Sequence, residues 1–299
     1  MKHVLESQQF DSKTIQKIFA IANALGRDRS LPFKGKIMAT LFYEPSTRTR
    51  FSFESAMIKL GGNVISTENA GAFSSAAKGE TLEDTIRVVS QYADVIVLRH
   101  YEKGVSERAA AVSSVPIINA GDGTGQHPTQ ALLDLYTIKK ELGKTEGIRI
   151  AFVGDLKNGR TARSLAYLLG KYKHSQMFFI SPAQLRIGED IKAYLDHHAI
   201  LYQELRSWDS VLGSIDVLYQ TRIQKERFKT MREYNKYEGR YVIGLQEAKA
   251  MKKNAIIMHP LPRIDEISPE VDALPQAVYF KQAKYGLLVR MALLKFLLS

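Results

Sequence analysis

The chain has 299 residues, of which 45% are hydrophobic and 24% charged, and it contains no cysteine. This composition is that of a globular protein of about two domains, and it excludes disulfides, cysteine-ligated metal centres and thiol catalysis. Lysine and arginine outnumber aspartate and glutamate by 42 to 31, a net charge of +11 that indicates anionic partners.

The first half of the chain alternates short β-branched runs with helical periods. Strands are predicted at residues 36–42, 63–66, 93–98 and 115–119, and helices at 12–24, 47–60, 81–91 and 107–111. Strand–helix alternation of this kind favours a parallel sheet with helices on both faces.

A long amphipathic helix is predicted at residues 129–142, ending at Gly143 with Lys139 and Lys140 in its last turns, as helix C-termini prefer. A second alternating set follows it. Its strands are predicted at 148–153, 175–180, 199–202, 217–219 and 255–258, and its helices at 159–171, 183–197, 245–252 and 286–298. The predicted fold is therefore α/β: two doubly wound domains, each a parallel sheet flanked by helices, joined by a long helix.

Membrane and targeting signals are not predicted. The apolar run at residues 285–298 contains Arg290 and Lys295 and is too short to span a bilayer, and the first residues do not resemble a signal peptide. We expect a soluble cytoplasmic protein with no membrane partner. The basic residues are scattered rather than collected in a tail, which weakens a nucleic-acid interpretation.

The segment after the first predicted strand is rich in phosphate-binding side chains. Pro45 ends the strand, and Ser46 or Thr47 can cap the next helix. A helix N-terminus offers unpaired N–H groups to an anion. Ser46, Thr47 and Thr49 add hydroxyl donors, and Arg48 adds a planar fork that suits phosphate oxygens. A phosphate site is favoured over a capped helix with surface arginines.

His127 opens the long helix and follows a glycine-rich loop at residues 121–125. A lone histidine is more often structural than catalytic. Here the loop follows a predicted strand, which places His127 at the carboxyl edge of a parallel sheet, where α/β proteins bind ligands.

The segment Ser46-Thr47-Arg48-Thr49-Arg50 resembles the carbamoyl phosphate signature of the aspartate/ornithine carbamoyltransferase family. Further matches run through the chain in the family's order. They are Arg99, His127 to Gln130, Gly154-Asp155-Leu156 with Gly159-Arg160-Thr161, Thr221-Arg222-Ile223-Gln224, and His259-Pro260-Leu261-Pro262-Arg263. Lys78-Gly79-Glu80-Thr81 and the absence of cysteine from the last motif resemble the aspartate branch.

This resemblance implies a transferase that moves the carbamoyl group of carbamoyl phosphate to the α-amino group of L-aspartate, an early step of pyrimidine biosynthesis. It implies a carbamoyl phosphate-binding domain at residues 1–130 with 285–299, and an aspartate-binding domain at 131–284. No metal and no organic cofactor are expected, because the sequence has neither a ligand cluster nor a dinucleotide motif.

The resemblance also implies individual roles. The carbamoyl phosphate set is Ser46, Thr47, Arg48, Thr49, Ser74, Arg99, His127 and Gln130, with the backbone at Pro260 and Leu261. Thr49, Arg99, His127 and Lys78 are the expected catalytic residues. Lys78, Arg160, Arg222 and Gln224 are expected to bind aspartate.

In the family, the loop that carries Ser74 and Lys78 reaches into a neighbouring subunit's site. A homotrimer with shared active sites is therefore expected, and a separate regulatory chain is possible.

Ala77 stands where relatives have a second lysine, and Tyr285 where relatives commonly have asparagine. The resemblance further implies a cis Leu261–Pro262 peptide.

The resemblance implies that Glu44 pairs with Arg160 and Arg227 when the two domains close over substrate.

Three alternatives stay open at this point. They are a carbamoyltransferase for another amino acid such as ornithine, a catalytically silent relative that binds carbamoyl phosphate, and a nucleic-acid binder suggested by charge alone.

Overall fold

The strand–helix alternation of the sequence forms two separate parallel sheets. The computed structural model describes residues 1–26, 31–68 and 79–299. They divide into a first unit, Met1–Leu133 with Lys284–Ser299, and a second unit, Asp134–Ala283.

The described residues of the first unit alternate strands with helices. The strands are β1 (Ile37–Phe42), β2 (Asn63–Glu68), β3 (Val95–His100) and β4 (Ile117–Asp122). The helices are α1 (Ser12–Leu25), α2 (Thr47–Lys59), α3 (Leu82–Val89), α4 (Val105–Val112) and the first part of α5 (Pro128–Leu142).

The first sheet has the order β2-β1-β3-β4, and all its strand pairs are parallel. β3 and β4 are buried along their whole length, as expected for strands covered on both faces. Ile96, Leu98 and Ile117 form a core with Ile86 of α3 and Ala109 of α4. β2 lies at the edge and is partly exposed.

The second unit repeats this plan. Its strands are β5 (Arg149–Val153), β6 (Gln176–Ile180), β7 (Leu201–Leu205), β8 (Val217–Gln220) and β9 (Ile256–Met258). Its helices are the rest of α5, from Asp134 on, α6 (Arg160–Leu169), α7 (Glu189–His197), α8 (Met231–Tyr234), α9 (Leu245–Ala250) and the start of α10 (Tyr279–Leu298). The remainder of α10, from Lys284 on, belongs to the first unit.

The second sheet has the order β7-β6-β5-β8-β9, again with parallel pairs. One face packs into a core that includes Val153, Ile180, Leu218, Ile257 and Tyr279. Both sheets therefore confirm the predicted doubly wound α/β class.

Two predicted helices differ from the observed ones. The helix predicted at 183–197 is a short 3-10 helix (Ala183–Leu185) followed by α7. The Leu185 carbonyl accepts the N–H groups of Leu156 and Lys157 at 3.1 and 3.0 Å, so it is not available to continue a helix.

The helix predicted at 286–298 begins at Tyr279 instead. Gly286, the first residue of the predicted helix, lies inside α10. A Cβ there would come within 3.0 Å of Leu133 Cδ2, so this glycine permits a close approach rather than ending a helix.

No helix within the described ranges 1–26, 31–68 and 79–299 is long and apolar enough to cross a membrane. The 20-residue α10 is interrupted by charged residues such as Lys284, Arg290 and Lys295.

Candidate active site

The first unit brings most of its predicted anion-binding residues to one edge of its sheet. β1 and β3 are neighbours in the sheet, and the connection after β1 runs toward β2 whereas the connection after β3 runs toward β4, on the opposite side. A crevice at such a switch point is where open α/β sheets bind ligands. Residues 46–49 follow β1, and Arg99 lies near the end of β3, where it pairs in register with Phe42.

The N-terminus of α2 presents the predicted phosphate-binding side chains. Ser46 takes the N-cap position, but within the described chain its side chain makes no capping hydrogen bond. Thr47 and Arg48 are exposed, whereas Thr49 is buried in the first turn. The first-turn N–H groups and the helix dipole favour an anion at this point.

Arg50 lies in a different environment from Arg48. Its guanidinium contacts the Glu68 carboxylate at 3.2 Å and the Glu54 carboxylate at 3.7 Å, and it lies over the Phe51 ring. Arg50 therefore joins α2 to β2, and we assign it a structural role.

Arg99 is buried and held by two elements of the first unit. Its Nε donates to the Glu44 carbonyl at 3.2 Å, and its Nη1 donates to the Ala120 carbonyl at 3.1 Å. Its Nη2 lies 3.2 Å from Glu44 Oε1. These contacts fix a planar cation at the carboxyl end of β3.

The loop before His127 is organised by Asp122. Asp122 Oδ1 accepts the Gln126 N–H at 2.7 Å, and Oδ2 accepts the Gly104 N–H at 3.0 Å. Gly123 has φ +49°, and a Cβ there would lie 2.5 Å from the Tyr101 carbonyl oxygen. This glycine is required by a close backbone approach.

His127 precedes Pro128, the first residue of α5, and is buried. Its carbonyl accepts the N–H groups of Gln130 and Ala131, at 3.0 and 3.1 Å. Its Nδ1 lies 3.4 Å from Thr129 Oγ1. Gln130 is also buried. His127 and Gln130 therefore come from the same helix turn, at the carboxyl end of β4.

His100 is a neighbour of Arg99 that sequence reasoning missed. Burial lowers the pKa of His100, and its Nδ1 accepts the Glu102 N–H at 3.0 Å. Its ring lies between those of Tyr43 and Tyr101, with centroids 4.8 and 4.2 Å away. The uncharged His100 ring therefore lines this edge of the sheet. The sequence gave no indication of this position, because a single histidine at a strand end forms no motif.

In the second unit the predicted arginines follow two neighbouring strands. β5 lies between β6 and β8, so this sheet also has a switch point, and Val153 pairs with Gln220 there. Arg160 is the first residue of α6, after β5, and Arg222 follows β8. The fold thus places two guanidinium groups at one carboxyl edge, which suits a carboxylate ligand.

Gly154 makes this close strand pairing possible. Its φ is +116°, and a Cβ would lie 2.2 Å from the Thr221 carbonyl oxygen. The Thr221 N–H and hydroxyl both donate to the Val153 carbonyl, at 2.8 and 2.9 Å. The backbone between β8 and Arg222 is therefore tied to the end of β5.

Asp155 supports the same edge from below the surface. It is fully buried, and its carboxylate accepts the Asn158 N–H at 3.0 Å. It also receives a backbone hydrogen bond from Gln224 and lies within the field of Arg227. Burial nevertheless raises the pKa of Asp155. Asp155 thereby links the turn before Arg160 to Gln224.

Pro260 and Leu261 follow β9, the strand next to β8. Leu261 has φ +55°, and the Leu261–Pro262 peptide is cis, which confirms that expectation. His259, which connects β9 to Pro260 in the chain, is buried. The backbone of this turn lies at the same edge as Arg222.

The expected partners Ser74 and Lys78, and the departure at Ala77, lie outside the described residues. Tyr285 is half-buried in α10 of the first unit, and nothing in the structure explains its replacement of asparagine. In the part of the chain that is described, no group of three or more histidine, aspartate or glutamate residues could hold a metal ion.

The geometry defines an α/β protein of two units, each with arginine and other polar residues following its strands at the carboxyl edge of its sheet. A family model described as "Aspartate/ornithine carbamoyltransferase, carbamoyl-P binding domain" matches residues 2–140. A second, described as "Aspartate/ornithine carbamoyltransferase, Asp/Orn binding domain", matches residues 146–297. The chain therefore belongs to the aspartate/ornithine carbamoyltransferase family.

Individual relatives resemble nearly the whole chain. Aspartate carbamoyltransferase 3, chloroplastic, of Pisum sativum is 57% identical over 99% of this chain and 77% of its own length. The catalytic subunit of Methanocaldococcus jannaschii aspartate transcarbamoylase is a solved structure with 52% identity and a TM-score of 0.91, covering 99% of this chain and 98% of that one. Trypanosoma cruzi aspartate transcarbamoylase in complex with N-(phosphonacetyl)-L-aspartic acid is 41% identical with a TM-score of 0.95, covering 100% and 96%.

Proposed function

We propose that this chain transfers the carbamoyl group of carbamoyl phosphate to the α-amino group of L-aspartate, giving N-carbamoyl-L-aspartate and phosphate. The observation that carries the proposal is the complementary chemistry of the two switch points. The first presents hydroxyls, a helix N-terminus and arginines, and the second presents a pair of arginines. Relatives named aspartate carbamoyltransferase, and Trypanosoma cruzi structures with carbamoyl phosphate and aspartate, support the same reaction.

The phosphate group is assigned to the N-terminus of α2. Ser46, Thr47, Arg48 and Thr49 offer hydroxyl, guanidinium and backbone donors there. Two observations support this role: the Ser46 side chain makes no capping hydrogen bond within the described residues, and Arg48 is exposed. Ser74 and Lys78 complete the set in the proposal, on the strength of the family resemblance.

The carbamoyl carbonyl oxygen is assigned to Thr49, Arg99 and His127. Nucleophilic attack places negative charge on this oxygen, and fixed donors stabilise that charge most in the transition state. The three-point support of Arg99 by Glu44 and Ala120 is the preorganisation that such stabilisation requires. Gln130 and the backbone carbonyls of Pro260 and Leu261 are assigned to the carbamoyl NH₂ group.

The two carboxylates of aspartate are assigned to the second unit. Arg160 and Arg222 offer bidentate forks at the β5–β8 edge, with Gln224 as a polar neighbour and Lys78 as a further cation. A cationic side chain such as that of ornithine would meet like charge at this edge. The charge of the edge therefore favours an anionic acceptor.

The chemistry balances without a cofactor. The neutral amine of aspartate attacks the carbamoyl carbon, so a C–N bond forms. The C–O bond to phosphate then breaks, and the departing phosphate takes the proton that the amine loses. Holding both substrates in the correct orientation supplies a large part of the rate enhancement.

A homotrimer with shared active sites is part of the proposal, and a regulatory chain could bind to it. Phe51 and Ile58 lie on one face of α2 and are 53% and 61% exposed, and Ile65 on edge strand β2 is 42% exposed. Exposed apolar patches mark interfaces.

Light scattering should give three times the 33.7 kDa chain mass. Mixed Lys78→Ala and Arg99→Ala chains should recover activity that neither variant has alone.

The proposal places the reaction in pyrimidine biosynthesis and in the cytoplasm, the compartment expected from the sequence. Several plant relatives are named chloroplastic. Fractionation of the source cell, with carbamoyl-aspartate formation measured in each fraction, would decide the compartment.

The test measures phosphate release from carbamoyl phosphate, with L-aspartate and separately with L-ornithine. Aspartate-dependent release with carbamoyl-aspartate as product is expected. Release with ornithine alone would overturn the acceptor assignment. A folded chain that binds carbamoyl phosphate but is silent with both amino acids would overturn the activity.

A further inference from the structure

A line of buried polar side chains crosses the second unit. Asp134, Tyr219, Gln282 and His259 are each 2% exposed or less. Polar groups in a core are costly unless each finds a partner. Their partners therefore show what this part of the core holds in place.

Asp134 lies at the centre of the line. Its Oδ2 accepts the Tyr219 hydroxyl at 2.7 Å, and its Oδ1 accepts Gln282 Nε2 at 2.6 Å. Gln282 Oε1 in turn accepts the backbone N–H of His259 at 3.0 Å. Both ends of the Gln282 amide are used, so its orientation is fixed by its partners.

His259 continues the line into the turn after β9. The Leu261 N–H donates to Nδ1 at 2.8 Å, so this nitrogen carries no proton and Nε2 donates to Glu266 Oε1 at 2.7 Å. Glu266 Oε2 accepts the N–H groups of Ile264 and Asp265, at 3.0 and 3.1 Å. The imidazole thus fixes the Leu261 backbone, and the carboxylate fixes the imidazole.

The opposite end of the line reaches the helix that carries Arg160. The Tyr219 hydroxyl also forms a hydrogen bond with the side chain of Thr161. Thr161 directly follows Arg160 in the first turn of α6. Continuous hydrogen bonds therefore connect the first turn of α6 with the Leu261 N–H.

We propose that Asp134, Tyr219, Gln282, His259 and Glu266 are positioning residues for the carbamoyl transfer. They hold the Pro260–Leu261 backbone in register with the first turn of α6. The proposal rests on the proposed function, because it takes that backbone as the partner of the carbamoyl amide and Arg160 as a partner of aspartate.

The free-energy cost of burying these polar side chains supports a positioning role. A well-packed apolar core of the same volume is often as stable as a buried polar network or more so. A fully satisfied network instead specifies one geometry. Reaction rates are sensitive to that geometry, since a displacement of about 1 Å can cost about 100-fold.

Two substitutions of His259 distinguish the roles of its two ring nitrogens. In His259→Asn, the amide oxygen takes the place of Nδ1 and keeps an acceptor for the Leu261 N–H. In His259→Gln, the amide nitrogen takes the place of Nε2 and keeps only the donor to Glu266. We expect His259→Gln to lower kcat about tenfold or more, and His259→Asn to retain most of it.

A binding measurement gives a readout that does not depend on turnover. Titration calorimetry compares carbamoyl phosphate with inorganic phosphate as probes. His259→Gln should weaken binding of carbamoyl phosphate about tenfold and leave binding of inorganic phosphate unchanged, because only the former carries the amide.

Tyr219→Phe removes a single oxygen atom and tests the end of the line that contacts Thr161 in α6. It should raise the KM for aspartate and leave the affinity for carbamoyl phosphate unchanged. His197→Gln and His197→Asn, which alter an exposed histidine in α7 of the same unit, are the matched controls and should leave every parameter unchanged.

Wild-type protein that forms no carbamoyl-aspartate would refute the proposed function and this inference with it. Active wild-type protein together with folded His259→Gln and Tyr219→Phe variants of unaltered kcat, KM and carbamoyl phosphate affinity, but lower Tm, would overturn the positioning role alone. The line would then be a structural element of the core.

Discussion

Arg99 and Glu44 are joined twice, once through the backbone and once through side chains. Arg99 Nε donates to the Glu44 carbonyl at 3.2 Å, and Nη2 lies 3.2 Å from the Glu44 carboxylate. The residue that precedes the α2 N-terminus therefore orients the guanidinium at the end of β3. In the proposed reaction, this contact links phosphate recognition to activation of the carbamoyl carbonyl group.

Arg99→Lys should keep the fold and lose most of the activity. Lysine keeps the charge but lacks the planar fork that contacts Glu44 and Ala120 together. We expect kcat to fall by about 100-fold to 1,000-fold, the cost of removing one oxyanion donor. Steady-state kinetics with a Tm measurement checks this. Arg87→Lys, on the exposed face of α3, is the control, and an active Arg99→Lys protein would contradict the role.

Arg48 and Arg50 should respond differently to the same change. Arg48→Ala should abolish carbamoyl phosphate binding and leave Tm nearly unchanged, because Arg48 is exposed. Arg50→Ala should lower the stability by about 1 kcal/mol, since its pairs with Glu54 and Glu68 are partly exposed. Calorimetry and thermal unfolding of both variants decide the matter. Loss of binding in Arg50→Ala alone would reverse the assignment.

Gly154 and Gly143 form a matched pair for the β5–β8 edge. Both have positive φ, +116° and +74°, but only at Gly154 would a Cβ meet backbone, 2.2 Å from the Thr221 carbonyl. Gly143→Ala should cost about 1 kcal/mol for backbone strain alone, and Gly154→Ala more than about 3 kcal/mol. Urea unfolding of the two variants measures the difference, and equal costs would show that the close approach is unimportant.

Asp272→Asn should destabilise the second unit in a pH-dependent way. The hydrogen bond from Arg263, with Nη2 2.6 Å from Oδ2, lowers the pKa of Asp272 against the opposing effect of burial. A carboxylate with a lowered folded pKa stabilises the fold fully above its unfolded pKa of about 4, and loses this as pH falls through the folded value. We expect a cost of about 1 kcal/mol at neutral pH, since Asp272 is one-third exposed.

The pH series compares Tm for wild type and Asp272→Asn. The difference should shrink below about pH 4. Glu270→Gln, an exposed neighbouring carboxylate, is the control and should show little difference at any pH. A constant difference for Asp272→Asn across the series would mean that the charge of the carboxylate does not contribute.

Strand positions were predictable because buried parallel strands are continuous apolar runs. The strand predicted at 148–153 is observed at Arg149–Val153, and the one predicted at 175–180 at Gln176–Ile180. The helix predicted at 183–197 was wrong because Leu185 uses its carbonyl to bind Leu156 and Lys157. A periodicity argument contains no information about such a distant partner.

The predicted site residues that follow strands can be placed by the rule that parallel strands end at one edge. Arg99, Arg160 and Arg222 reach such edges for this reason. The line through Asp134 could not be predicted, since its partners Tyr219 and Gln282 are 85 and 148 residues away. A single polar residue in a helical pattern gives no indication of its partner.

Competition between two acceptors shows whether the chain carbamoylates aspartate. Protein is supplied with ¹³C-labelled carbamoyl phosphate and equal concentrations of L-aspartate and L-ornithine, and the labelled product is identified by NMR. We expect N-carbamoyl-L-aspartate as the product, with none formed by Arg222→Gln at the same concentrations. Labelled citrulline as the main product, or no carbamoylated amino acid at all, would contradict it.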